Sequence, residues 1–351
     1  MKMLGGESMK VLLTPHVEHY TVGLAGELSR RIKVELLAFA RYPVSARQMV
    51  VPRLPVPGHR DLLYKYALKA LARRYDVVHV NTASHGALLG PRDNLLLTEH
   101  GWPEPELVER EQRRFYEKER ESLLQLYEAG VPVVTISNFS ARMLRERLGV
   151  KATAVVYHGV LDTFRRNKPL EPPIHHVVLW NSRLVGFKEP FTFLEAIRLV
   201  KGKASFEAVI RGDGPLKREV EGYLRRHGLE DTVRFAERIP FEKLPQLYRS
   251  ATIFIHTCSK EPFGLAVLEA MASGLPVIVP DAGGAAEVAG DAGLKFRPGD
   301  SEDLAEKLLV LLTDQQLYET FSARSIERSA FFTWEKAAST YLDLYRKISG
   351  A

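Results

Sequence analysis

Glu261 and Glu269 stand at either end of "EPFGLAVLE", inside a longer stretch that runs on to the glycine pair of "DAGGAAEV". The residues from Leu265 to Ala272 are good helix formers and Gly274 is a natural stop, which predicts a short helix. Its first backbone N–H groups have no partner in their own helix, so an anion beside Gly264 and Leu265 would be held by those amides and by the helix dipole. Glu261 precedes that helix and Glu269 lies within it, so the two carboxylates can address different parts of one ligand. The same spacing also suits surface carboxylates flanking a core helix that buries Leu265, Leu268 and Met271.

Further chemistry-bearing residues sit at the ends of apolar runs. In "SRLVGFKEP" Arg183 and Lys188 flank a strand-to-helix junction, a place where two cations and free amides suit a diphosphate, though a basic pair in a loop is also common solvated surface. In "GDGP" Gly212 and Gly214 permit positive φ and a close backbone approach, or merely a turn. His100 ends "LLLTEH", where a histidine is either a satisfied structural residue or a reactive one. His256 and Cys258, near Glu261, read as wall residues rather than as a nucleophile pair. No D-x-D triplet occurs, so a closely spaced carboxylate pair of the kind that carries a divalent metal on a diphosphate is absent and no metal is expected.

These positions need strands to present them. Short β-branched or leucine-rich runs alternate with longer amphipathic ones, the pattern of parallel α/β sheets. The first half offers strands at 10–14, 33–40, 76–81, 95–100, 132–137 and 153–158, and the second at 175–182, 206–212, 232–237, 252–257, 275–280 and 293–296. Between them "KPLEPPIHH", residues 168–176, reads as an extended connector. The expected organisation is therefore a first domain over 1–170, a second over 171–332, and a C-terminal helix over 333–351. Two such domains would meet at a cleft lined by the carboxyl ends of their strands, where parallel sheets bind ligands.

The chain has 351 residues, 45% of them hydrophobic and 26% charged, enough for two cores. A single cysteine excludes a disulfide framework and suits a reducing, cytoplasmic setting. No apolar run is long enough to span a bilayer. Residues 1–170 hold 26 Lys+Arg against 18 Asp+Glu, and the remainder 23 against 25, so the basic charge belongs to the first half. Such a half is expected to meet something anionic, while the absence of RNA-binding, zinc-finger or helix-turn-helix signatures argues against nucleic acid.

The motifs together resemble one family. "EPFGLAVLEAMASGLPVIV" followed by "GGAAEV" is similar to the donor-site signature of the retaining glycosyltransferases of the GT-B fold, family 4, the "glycosyl transferases group 1" domain. "SRLVGFKEPFTFLEAI", with Glu189 where glycine is customary, looks like the family's phosphate segment, and "IRGDGP" like its glycine turn. "DVVHVN", "TEHGW", "ISNFSARMLRERLG" and "VVYHGVLDTF" follow in the family's order. The resemblance implies an α/β GT-B fold of two Rossmann-like domains, the second holding a nucleotide sugar and the first the acceptor. It further implies Arg183 and Lys188 on the diphosphate, Glu269 on the ribose, and Glu261 on the sugar near the reacting carbon. Gly264 and Leu265 would offer amides, Gly212 would form the glycine turn, backbone near Ile239 would read the base, and His100 would reach the sugar. Where the family has a glycine pair after its first strand, only Gly23 stands, as the expected acceptor-side loop glycine.

The implied activity is transfer of a hexose from a UDP-, GDP- or ADP-sugar, with no other cofactor, to a glycan or lipid acceptor. A nucleotide-sugar epimerase or a catalytically silent partner of another transferase would use the same fold. A nicotinamide dehydrogenase would need G-x-G-x-x-G after the first strand, which "LLTPHVEHYTVGLAG" lacks. In "HRDLLYKYALKALARRY", residues 59–75, helical spacing puts Leu63, Tyr66, Ala67 and Ala70 on one face and Lys65, Lys69 and Arg73 on another. That is the pattern of an ordinary domain helix with a solvated basic face, or of a helix that draws the protein to an anionic membrane surface.

Overall fold

The computed structural model describes residues 9–52, 59–90, 92–101, 108, 110–237 and 239–350; Trp102 of "TEHGW" lies outside them. The chain forms two compact units. One holds the described residues up to Gly159, Val108 excepted, together with 333–350, and the other holds Val160–Phe332 with Val108. The division thus falls ahead of the proline-rich connector expected at 168–176. The reason is visible in the hydrogen bonds of the intervening segment: the amide of Val160 donates to the carbonyl of Phe332, that of Arg166 to Ala272, and that of Leu170 to the Ser322 hydroxyl.

The first unit is built on β1 (Lys10–Leu13), β2 (Lys33–Ala38), β3 (Arg47–Val50), β4 (Val77–Val80), β5 (Leu95–Glu99), β6 (Val133–Thr135) and β7 (Ala154–Val155). All pair in parallel, in the order β3-β2-β1-β4-β5-β6-β7. Strand β4 is buried at every position, as expected of a strand covered by helices on both faces. Strand β3 was not foreseen: it is an edge strand of sequence RQMV with no fully buried residue, and so it carries no apolar run to announce it.

The second unit holds β8 (His176–Asn181), β9 (Phe206–Arg211), β10 (Val233–Phe235), β11 (Ile253–Ile255), β12 (Val277–Pro280) and β13 (Gly293–Phe296), all parallel, in the order β10-β9-β8-β11-β12-β13. Its core packs Trp180, Phe193, Ile197, Phe296 and Leu308. In each sheet the strand order reverses once, between β1 and β4 in the first and between β8 and β11 in the second. Connections from the two strands at such a reversal leave towards opposite faces, so their carboxyl ends border an open crevice.

The C-terminal helix Trp334–Ser349 is capped by Thr333, whose hydroxyl accepts from the amide of Lys336 at 3.2 Å, and it buries Trp334, Tyr341 and Tyr345 in the first unit. Tyr345 and Thr98 take the two ring nitrogens of buried His79 at 2.7 Å each, and Tyr341 lies 2.9 Å from Thr98. The expected role of Gly23 as an acceptor-side loop residue is corrected here. Gly23 lies inside the helix Glu18–Ser29, because that helix starts soon after β1, and a Cβ at this position would stand 2.1 Å from the indole of Trp334. Its lack of a side chain admits the C-terminal helix.

Gly23→Ala should therefore lower the unfolding free energy by about 1–3 kcal/mol, the usual cost of overpacking. Chemical denaturation monitored by circular dichroism measures this, and Trp334→Leu in the same chain should restore part of the loss.

Candidate active site

In the second unit, β8 and β11 are neighbours at the reversal of strand order, and the loops that leave them bring Lys188 and Glu261 into an ion pair. Both side chains are mostly buried. Burial works against each charge, yet Glu261 holds the Lys188 ammonium above its ordinary range, while Lys188 and His256 hold the Glu261 carboxyl far below its own. Lys188 Nζ also lies 5.0 Å from the centre of the Phe187 ring. The loops are cross-tied: Trp180 Nε1 donates to Thr257 Oγ1 at 2.9 Å, and that hydroxyl donates to the Lys188 carbonyl at 2.7 Å. Glu189 takes a left-handed conformation, φ 54°, and its carboxylate accepts from the Ser259 hydroxyl at 2.8 Å. A side-chain hydrogen bond thus helps hold a backbone shape that glycine adopts freely.

The helix Leu265–Ala272 begins at Gly264, which has φ 100° and faces Ala285, so that even a methyl group there would crowd the neighbouring helix. The glycine pair of "DAGGAAEV" has the same use. Gly284 donates its amide to the Glu261 carbonyl at 2.6 Å, and a Cβ on it would stand 2.1 Å from the Pro262 carbonyl. Two helix starts therefore close on the 261–264 loop.

Arg183 is exposed and lines a cavity of about 330 Å³ with Ser182, Arg211, Gly212, Asp213 and Lys217. Gly212 and Gly214 let this turn lie against the loop after β8; a Cβ on Gly212 would stand 1.9 Å from the Ser182 carbonyl. Glu269 is buried inside its helix and accepts from the Tyr248 hydroxyl at 2.8 Å. That hydroxyl accepts from Asn181 Nδ2 at 2.8 Å, and Asn181 Oδ1 accepts from Arg211 at 3.3 Å. A polar relay thus runs from Glu269 to the cavity wall. Ile239 is half-buried in the loop after β10. Burial pushes the Cys258 thiol up to about 12. Sequence reasoning missed Tyr248, Asn181 and Arg211; Asn181 and Arg211 close β8 and β9, a position that could have marked them.

The first unit gathers a second group. His100, after β5, stacks on His16, after β1, with ring centres 3.7 Å apart, and meets the edge of Tyr20 at 4.6 Å. Asn81, after β4, donates from Nδ2 to the Thr14 carbonyl at 2.5 Å, which leaves its Oδ1 to accept from His100 Nε2 at 2.8 Å. The proton of His100 is thereby placed on Nε2. Its Nδ1 is a buried acceptor with no hydrogen-bond partner among the described residues. His158, after β7, and Trp334 complete the aromatic wall. His158 ends a predicted strand, as His100 does, and His16 follows one two residues on, so a histidine at a predicted strand's carboxyl end was the available signal.

Comparisons with known proteins agree across the chain. The family described as "Glycosyltransferase Family 4" matches residues 17–163, and that described as "Glycosyl transferases group 1" matches residues 162–328. Relatives include an O-antigen chain mannosyltransferase B of Escherichia coli, 26% identical over 70% of this chain and 67% of its own length. A D-inositol 3-phosphate glycosyltransferase of Kribbella flavida is 27% identical over 96% and 82%. Coverage is uneven: the chain spans 32% of a sulfoquinovosyl transferase of Arabidopsis thaliana that is 31% identical over the shared part. Sucrose-phosphate synthase from Thermosynechococcus elongatus has a TM-score of 0.79 at 22% identity, covering 97% of this chain and 99% of its own. HepE of Anabaena, solved with UDP-glucose, scores 0.76 at 21% identity, covering 97% and 100%.

The histidine group makes a prediction about acid stability. Burial holds His79 down to about 3 and His16 to about 4, and with their histidine neighbours it holds His100 and His158 well below the ordinary range. In the unfolded chain they titrate near pH 6.5, so between pH 6.5 and about 4 the unfolded state binds more protons and stability falls as pH falls. Glu99 acts in the opposite sense, because burial raises its carboxyl to about 7. The histidines outnumber it. The melting temperature should drop from pH 7 to pH 5, less steeply in His16→Gln by about 1–2 kcal/mol of unfolding free energy, and more steeply in Glu99→Gln.

Proposed function

The chain belongs to the group 1, family 4 glycosyltransferases and has their GT-B fold, and from that premise we propose that it moves a hexose from a nucleotide-diphosphate sugar to an acceptor hydroxyl with retention of anomeric configuration. The observation that carries this reading is the convergence, at the reversal of strand order in one sheet, of Arg183, Lys188, Glu261 and the amino end of the helix Leu265–Ala272. HepE binds UDP-glucose, which supports a nucleotide-sugar donor; a proposed ribose contact at Glu269 and a base contact through backbone near Ile239 would not distinguish UDP-, GDP- and ADP-sugars.

Breaking the glycosyl–phosphate bond places negative charge on the diphosphate and positive charge on the sugar ring. In this proposal Arg183, the free amides at Gly264 and Leu265, and the spare donors of Lys188 stabilise the departing diphosphate. Lys188 also keeps Glu261 ionised, which fits it to stabilise the ring as positive charge develops and unfits it as a proton donor. His100 Nδ1, a buried acceptor, is assigned to a sugar hydroxyl. The cations and amides balance the diphosphate without a divalent ion, so transfer is proposed to be metal-independent.

The acceptor is proposed to be lipid-linked or a polysaccharide, met at the cytoplasmic membrane surface. The helix His59–Leu71 buries Tyr64 and Leu68 and leaves Leu62, Leu63 and Tyr66 exposed beside Lys65 and Lys69. Apolar and cationic side chains presented together suit an anionic bilayer, at about 1 kcal/mol for each basic residue near its surface. Among the described residues no helix is long and apolar enough to cross a membrane.

Two measurements test these readings. Incubation of a mass-tagged donor with acceptor should yield a glycoside of retained configuration by NMR, in excess EDTA as in its absence, and Glu261→Gln should keep nucleotide binding while losing at least about a hundredfold in turnover. An epimerised donor, an inverted product, or unchanged turnover in the variant would each overturn the assignment. In the second, the chain should cosediment with vesicles containing anionic lipid and not with zwitterionic ones, and lose that binding at high salt or in Lys65→Glu with Lys69→Glu. Equal partition to both vesicle types would favour a soluble acceptor.

A further inference from the structure

The loop that carries Glu261 also carries His256 and Cys258, and their ligand atoms, an imidazole nitrogen, the thiol sulfur and a carboxylate oxygen, all lie within 4.8 Å of one another. His256 is 3% exposed and its Nε2 has no hydrogen-bond partner among the described residues; it stands 3.4 Å from Glu261 Oε2 outside hydrogen-bond geometry. That separation is already what two ligands of one tetrahedral zinc ion require, roughly 3.3–3.7 Å from bond lengths near 2.1–2.3 Å. A shift of about 1 Å by the thiol completes a three-ligand set of sulfur, nitrogen and oxygen. Such a set selects zinc or cadmium over magnesium, which takes oxygen ligands.

We propose that His256, Cys258 and Glu261 form an inhibitory site for a thiophilic divalent cation of the zinc class. Binding releases the thiol proton to solvent and exchanges one cation for another, since the metal takes the carboxylate oxygen that otherwise holds the Lys188 ammonium. The site rests on geometry alone. Its effect on transfer rests on the function proposed above, because Glu261 bound to metal is withdrawn from the donor sugar. Transfer then needs no metal and is nevertheless stopped by one.

The chain has one cysteine, so any thiolate–metal absorption reports on Cys258. Titrating chelator-treated protein with Cd²⁺ should produce a thiolate-to-metal charge-transfer band that saturates at one equivalent. The band should be absent in both Cys258→Ser and Cys258→Ala, and should need at least about tenfold more metal in His256→Gln. Zn²⁺ should inhibit transfer competitively with the donor, reversibly on adding EDTA, and Cys258→Ser should keep its turnover while losing that sensitivity at least tenfold. A wild-type chain with no band, or zinc inhibition of equal strength in Cys258→Ser and Cys258→Ala, would overturn the site. The band is read without any turnover, so failure of the transferase reading would leave it intact as a test.

Discussion

The buried pair of Lys188 and Glu261 governs the architecture around it. Two charges withdrawn from water are tolerable only together; losing one partner typically costs 3–5 kcal/mol because the other is left stranded. The fold therefore has to deliver an ammonium and a carboxylate from loops 73 residues apart in sequence to within contact distance. It does so with adjacent strands β8 and β11, whose loops leave from a common edge, and then fastens those loops through Thr257, Ser259 and the amide of Gly284. The glycines at 212, 264 and 284 serve the same end, allowing backbone to lie where any Cβ would push the loops apart.

The first unit solves a different problem. Its reversal of strand order lies between β1 and β4, and the loops beyond β1, β5 and β7 bring His16, His100 and His158 into one aromatic group. Neutral imidazoles stack at little cost, whereas protonated ones in the same space would repel and would be poorly solvated. The fold thus keeps these rings uncharged, and Asn81 assigns the tautomer of His100. A ring with a settled proton is a directional acceptor rather than a floating charge.

Most strands were legible because a strand buried on both faces must be written largely in apolar residues, as in "VVHV" and "LLLTE". The exposed edge strand β3 obeys no such rule and passed unseen. The chemistry-bearing residues were legible as types at strand ends: Arg183, Lys188, Glu261 and His100 all lie in loops or at their starts. What the sequence could not display was which of them would meet. The pairing of Lys188 with Glu261, the stacking of His16 on His100, and the relay from Glu269 through Tyr248 and Asn181 depend on strand adjacency, a property of the whole sheet. Gly23 shows the reverse error. Read locally it suggested a ligand loop, while its tight packing against Trp334, far away in sequence, sets its identity.

Glu189 has one more consequence, for the routes by which this chain can change. A residue with a Cβ in the left-handed region carries about 1–2 kcal/mol of strain, and here the Ser259 hydroxyl helps offset it. Replacing Ser259 first would leave the strained glutamate without that contact, whereas replacing Glu189 by glycine first relaxes the backbone and makes Ser259 dispensable. The order of the two changes therefore matters: one path between these states runs uphill and the other does not. Variants at Ser259 should accumulate on backgrounds that already carry glycine at 189, and rarely on this one.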